Sequence, residues 1–138
     1  MKAPAQKLLI GWGSRDVTPA GKVSLRGQFH LRITDTVHDP LTTTALALES
    51  EDRSEQAIIV SLDAVAVSEF VWNGCARALS EKLPDFDPGK LVISATHTHT
   101  GPEQPEHLLG PSPKLDDDVM SGEEYGDLLI ERISEAAV

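Results

Sequence analysis

Two histidines set the chemistry this chain could do. His97 and His99 stand in the run Leu91-Val92-Ile93-Ser94-Ala95-Thr96-His97-Thr98-His99-Thr100-Gly101-Pro102. The β-prone apolar residues at its start read as a buried strand, and Gly101-Pro102 must break it. The histidines therefore fall at or just past the C-terminal end of a strand, spaced i and i+2. In extended backbone that spacing puts both imidazoles on one face, roughly 7 Å apart along the chain. Thr96, Thr98 and Thr100 interleave on the opposite face, where their hydroxyls can satisfy loop backbone or support a ligand from behind. Rigid positions between a buried strand and a turn open onto a cleft, where α/β proteins place ligands. Neutral imidazoles so arranged suit a divalent cation, most often zinc. Two histidines are only half of such a site, because a catalytic zinc takes three protein ligands and a water.

Several other side chains could join them. Asp63 closes an apolar run, where it could orient a ligand histidine or bind metal, or else cap a helix or turn. His38, before Asp39-Pro40, is either a supporting group or a turn residue. His30 and Arg32 share a face with Arg26, lining a pocket or a solvated ribbon edge. His107 lies in an acidic loop. Cys75 belongs to a helix stripe and reads as packing. Ser94 lacks the glycines of a nucleophile elbow, so a catalytic serine is not expected there. Asp116-Asp117-Asp118 reads as a solvated loop, with weak calcium binding the remote option.

The elements that must hold these residues follow from pattern. Leu8 to Gly13 reads as a first strand, and Val23 to Thr34 as a short strand or ordered loop, with Leu25, Phe29, Leu31 and Ile33 alternating against polar neighbours. Leu41 to Glu49 alternates threonine with apolar residues and reads as a strand, followed by a charged turn over Ser50 to Glu55. Ala57 to Asp63 is an apolar run of the kind buried on both faces. Ser68 can cap a helix with the stripe Val71, Cys75, Ala78 and Leu79, and Pro84 stops it. With the Lys90–Thr96 strand this makes a βαβ unit, expected to be parallel and right-handed. After the loop Pro102 to Met120, Ser121-Gly122-Glu123-Glu124 forms a capping box for a last helix with the stripe Tyr125, Leu128, Leu129 and Ile133. The fold expected is α/β, a mixed or mainly parallel sheet with flanking helices.

Size and charge narrow the partners. The 138 residues make one domain's worth of chain, 40% hydrophobic and 25% charged. The formal net charge of −10 is concentrated at the end: residues 103–138 hold ten acids against Lys114 and Arg132. No basic patch exists, so nucleic acid is not an expected partner. One cysteine excludes an internal disulfide and fits a reducing compartment. The N-terminus has no signal-peptide core, and no apolar run approaches the ~20 residues of a membrane span, so a cytoplasmic location is expected.

In series, four stretches resemble the N-terminal catalytic domain of the neutral/alkaline non-lysosomal ceramidases. They are Gly11-Trp12-Gly13-Ser14-Arg15-Asp16-Val17-Thr18-Pro19; Leu25-Arg26-Gly27 through Arg32 to Val37-His38-Asp39-Pro40-Leu41; Ile58 to Asp63; and Ala95 to Pro102. The match runs over roughly residues 10–102, and the His-Thr-His motif is its most specific part. The resemblance implies a zinc-dependent amidase with an α/β catalytic domain. It gives His97 the role of zinc ligand, and His99 a place beside the metal, binding or polarising substrate. It puts the remaining ligands and the catalytic serine well downstream. Residues 1–138 then form the N-terminal part of a larger domain, in keeping with a last helix that runs to Val138 without a closing signal. Where ceramidases usually continue with small glycines after Gly-Pro, this chain has the bulkier, acidic Glu103-Gln104-Pro105-Glu106-His107.

The chemistry implied is hydrolysis of an N-acyl amide or lipid-like substrate. Zinc lowers the pKa of bound water to ~7 or polarises the carbonyl. His99 serves the oxyanion or the leaving group. Two alternatives remain at this level: another His-x-His amidohydrolase, whose barrel would need more βα units, and a non-catalytic or divergent α/β domain. If the domain is incomplete, exposed apolar surface should drive homo-oligomers or aggregation.

Overall fold

The computed structural model describes residues 7–105 and 115–138. In chain order the elements are β1 (Leu8–Asp16), β2 (Lys22–Ser24), β3 (Ile33–Thr34), β4 (Thr42–Ser50), β5 (Gln56–Leu62), α1 (Glu69–Lys82), β6 (Leu91–Ala95), β7 (Val119–Met120) and α2 (Gly122–Ala137), with a 3₁₀ turn over Pro88–Lys90. The main sheet has the order β1-β4-β5-β6. β1 and β5 flank β4 antiparallel, and β5 and β6 run parallel. A small second sheet, β3-β2-β7, pairs β2 antiparallel with β3 and parallel with β7. The sheet is thus mixed. The mainly parallel alternative is corrected: only the βαβ unit through α1 gives a parallel pair in the main sheet.

Local signals set the helices as their sequences dictate. The Ser68 hydroxyl accepts from the Val71 N–H at 3.3 Å, opening α1. At α2, Ser121 accepts from the Glu124 N–H at 3.2 Å while the Glu124 carboxylate accepts from the Ser121 N–H at 2.7 Å. Each exchange satisfies helix-end donors that would otherwise lack partners. Both helices cover the same face of the sheet. Val71, Cys75 and Leu79 of α1 and Tyr125, Leu129 and Ile133 of α2 pack on Ala45, Ile58, Val60, Leu62 and Leu91. The Tyr125 hydroxyl crosses this core to donate to the Val17 carbonyl at 3.1 Å. Gly13 lets α2 approach β1 closely, since a Cβ there would stand 2.5 Å from the Ala136 carbonyl oxygen.

The opposite face of the sheet carries no helix among the described residues. Trp12, Leu46, Ile59 and Val92 are direct cross-strand neighbours there. Trp12 is 77%, Ile59 40% and Val92 53% exposed, with Leu8 and Ile10 beside them also open. This corrects the expectation that β5 is buried on both faces: Ile58, Val60 and Leu62 are buried, and the alternate residues are not. The 23–34 stretch also departs from its alternating pattern. Only Val23 and Ser24 sink into the structure; Phe29 and Leu31, on the excursion between β2 and β3, and Ile33, at the start of β3, remain exposed.

Candidate functional site

The site is built on the edge where β5 and β6, the parallel pair, end. Asp63 is the first residue past β5, and its carboxylate ties three segments together. Oδ2 accepts from both the N–H and the hydroxyl of Thr42 at 2.9 Å, at the start of β4. Oδ1 accepts from the Thr96 hydroxyl at 3.1 Å, just beyond β6. The Thr96 N–H in turn donates to the Leu62 carbonyl at 2.9 Å. The chain is therefore held on both sides immediately before His97.

At His97 the backbone turns. Its φ of 66° lies in the left-handed region that few non-glycine residues enter, and such conformations gather at functional sites. The extended i, i+2 geometry expected for the two histidines is corrected accordingly. The strand ends at Ala95, and the turn brings the imidazoles closer than a strand would, with ring centroids 4.9 Å apart and planes at 77°. The His97 Nδ1 lies 2.7 Å from the Val65 carbonyl oxygen. A carbonyl can only accept, so Nδ1 carries the hydrogen and Nε2 of the neutral ring keeps its lone pair. That second nitrogen belongs to an exposed side chain. An imidazole oriented by a carbonyl at one nitrogen and open at the other is the usual posture of a metal-ligating histidine. In donor chemistry His97 fits a zinc ligand.

His99 is fixed from the other side by the excursion between β2 and β3. Arg32 Nη2 donates to the His99 carbonyl at 2.8 Å. The imidazole lies on Gly27, whose φ is +91° and where a Cβ would meet the His99 Cγ at 2.7 Å. Arg26 pairs with Glu103 at 2.8 Å, with both side chains largely shielded from water. The shared face expected for Arg26, His30 and Arg32 is thus divided: the two arginines turn to the histidine loop, and His30 is exposed.

Beside the histidine loop runs a cleft of about 750 Å³, lined by Arg32, His38, Asp63, Thr98 and Thr100 together with apolar Val23, Leu25, Ile33, Val37 and Leu41. His97 and His99 are not among its lining residues. Thr98 and Thr100, whose hydroxyls lie 2.9 Å apart, present the loop's other side to it. His38 is nearly fully exposed, with Nδ1 3.6 Å from the Asp39 carboxylate. Asp63 thus acts on the site through Thr96, and the orienting partner of His97 is a backbone carbonyl. No side-chain pattern in the sequence could have signalled that carbonyl.

Among the described residues, no group of three or more His, Cys, Asp or Glu side chains is disposed to hold a metal ion. His107 lies outside the described residues. Ser94 points its hydroxyl at the Val60 carbonyl, 3.4 Å away. Cys75 is buried, and burial pushes its thiol up to about 12, which leaves it unreactive. Asp118 of the acidic run pairs with Lys22. Gln104 is a further residue that the sequence did not single out. Buried in the loop after the histidines, it accepts from the Ser68 N–H at 3.1 Å and donates to the Ala66 carbonyl at 2.9 Å, fixing the entry to α1.

A mixed sheet with two helices on one face and a histidine-bearing turn at the end of its parallel pair defines the class: an α/β fold with a strand-end site. Solved structures share the fold, among them two ceramidases. The crystal structure of neutral ceramidase from Pseudomonas aeruginosa matches with a TM-score of 0.75 and 20% identity, over 96% of this chain and 21% of that one. A ceramidase complexed with C2 matches with a TM-score of 0.76 and 21% identity, again over 96% and 21%. The chain therefore has a partial ceramidase-like fold and spans about a fifth of the length of these ceramidases. No family model matches the sequence, and no curated protein matches it. No helix among the described residues is long and apolar enough to cross a membrane.

Proposed function

We propose that residues 1–138 are the N-terminal part of a zinc-dependent hydrolase domain that cleaves an N-acyl amide bond. The observation that carries this reading is the His97 ring, oriented through Nδ1 by the Val65 carbonyl, with the His99 ring 4.9 Å away. His97 would hold zinc through Nε2, and the ligands that complete the site would come from polypeptide beyond Val138. When bound, zinc supplies Lewis-acid polarisation and an activated water near neutral pH. His99 donates a hydrogen bond to the substrate carbonyl oxygen as negative charge develops on it, or a proton to the leaving nitrogen. Asp63 keeps the loop rigid through Thr96. The free thiol of Cys75 supports a reducing, cytoplasmic setting.

The test is a pair of variants in a polypeptide that reads through beyond Val138, with zinc content and N-acyl amide turnover measured side by side. His97→Ala abolishes tight zinc binding; His99→Ala keeps the zinc and lowers turnover, by about 10²-fold or more if a general acid is lost. Equal metal loss in both variants would overturn this division of roles. A second reading, a non-catalytic α/β module, is separated from the first by the metal content of the longer polypeptide. Absence of zinc from the longer polypeptide would select it.

A further inference from the structure

Between Ala95, where β6 ends, and Gly101, where the loop meets the 25–32 excursion, the chain has lost its sheet ladder. Something outside the loop must set where His99 stands. Arg32 is placed to do so. Its Nη2 donates to the His99 carbonyl at 2.8 Å, and its own carbonyl accepts from the Leu25 N–H at 2.8 Å. The excursion carrying it is fastened to the histidine loop at further points. The Arg26 N–H donates to the Gly101 carbonyl at 2.9 Å, the Glu103 N–H to the Ser24 carbonyl at 2.8 Å, and Leu25 bridges to Pro102. Of these ties, only the Arg32 bond reaches a histidine of the pair.

Arg32 is an expensive choice if stability were its only task. Its Nε is buried without a hydrogen-bond partner among the described residues, and a buried, unsatisfied donor is destabilising. What a guanidinium offers in return is a charge-assisted bond of fixed direction to one carbonyl. We infer that Arg32 is a positioning residue: by holding the His99 carbonyl it sets the separation of the two imidazoles. It thereby decides whether a substrate carbonyl placed beside His97 comes within reach of His99. The consequence for catalysis rests on the amidase reading of the two histidines. The positional claim does not.

The experiment uses histidine-ring NMR on the chain itself, with neither metal nor substrate, so its outcome is separate from the fate of the amidase reading. In the unaltered chain, rings 4.9 Å apart give inter-ring NOE cross-peaks between His97 and His99. Arg32→Gln, which removes the charged fork, loses those cross-peaks while the amide signals of the Ile58–Leu62 core stay in place. Arg32→Lys, which keeps a cationic donor, recovers them in part. Cross-peaks of unchanged intensity in a folded Arg32→Gln chain would overturn the proposal, as would equal loss in the lysine and glutamine variants. If Arg32→Gln fails to fold, Arg32→Met, which matches its apolar stem, takes its place under the same criteria.

Discussion

Asp63 offers the sharpest mutational test of how the fold holds the site. Its carboxylate accepts three hydrogen bonds, two from Thr42 at 2.9 Å and one from Thr96 at 3.1 Å. Hydrogen bonds to a charged acceptor contribute about 1.5–3 kcal/mol each when buried. Asp63 is only half-buried, so solvent competes for every one of them and the full sum is not expected. Asp63→Ala should therefore destabilise the chain by about 2–4 kcal/mol. With a urea m-value of about 2 kcal/mol/M, the unfolding midpoint falls by about 1–2 M at unchanged slope. Asp63→Asn can keep its acceptor oxygen on Thr42 and donate its amide N–H to the Thr96 hydroxyl, at the loss of the charge, so it should recover part of the loss. The assay is urea unfolding followed by far-UV circular dichroism, with the His97 ring resonances recorded in parallel. Those resonances should move most in Asp63→Ala, because Thr96 is then freed beside the turn. A loss below about 0.5 kcal/mol, within the range of ordinary surface substitutions, would refute the bracing role.

Gly27→Ala should destabilise by about 1–2 kcal/mol, because φ is +91° and the new methyl would overlap the His99 ring; urea unfolding reads the loss and ring NMR the displacement. Acid should weaken the fold in a defined window. Asp52, held at about 2 by hydrogen bonds from Ser54 and Ser50, and Asp16 and Glu124, lowered by bonds from Thr18 and Ser121, are all depressed below their unfolded values. Depressed carboxylates contribute stability above their unfolded pKa of about 4, and it is lost as pH falls through their folded values, so unfolding midpoints should decline between about pH 4 and pH 2. The open sheet face predicts that the chain pairs with a second copy. Its row Trp12, Leu46, Ile59 and Val92 carries no charge, so two chains of net charge −10 can meet there without burying an unpaired ion, sheet on sheet. Sedimentation velocity should show a dimer that Trp12→Ser with Ile59→Ser dissociates; a monomer at all concentrations would contradict it.

Much of the architecture was legible because local and global signals agree. Ser68, Pro84 and the Ser121–Glu124 box mark the helix ends, and the stripe Val71, Cys75 and Leu79 is the face that α1 buries. The β5–α1–β6 unit followed from its length and pattern. What failed did so where tertiary context decides. The apolar run of β5 reads the same whether one face or two are covered, and helices lie on only one. The alternation of Leu25, Phe29, Leu31 and Ile33 left a short strand and an ordered loop both open; the structure has two short strands joined by an ordered loop, which is organised by its ties to the histidine loop. At the site, residue types and spacing pointed to His97 and His99, but not to the left-handed turn at His97, the Val65 carbonyl behind it or the Arg32 bond to His99. The first is a local backbone conformation and the other two are long-range contacts to backbone carbonyls, and no side-chain periodicity encodes any of them.

The central claim is that His97 presents Nε2 as a zinc ligand. Its most direct test is a zinc titration of a polypeptide that reads through beyond Val138, followed by the ring nitrogen shifts of its histidines. The account predicts a hydrogen on Nδ1 of His97 before zinc is added, and His97 Nε2 as the first ring nitrogen to move as zinc binds. A hydrogen on Nε2, or zinc engaging other histidines while the His97 ring is unmoved, would contradict it.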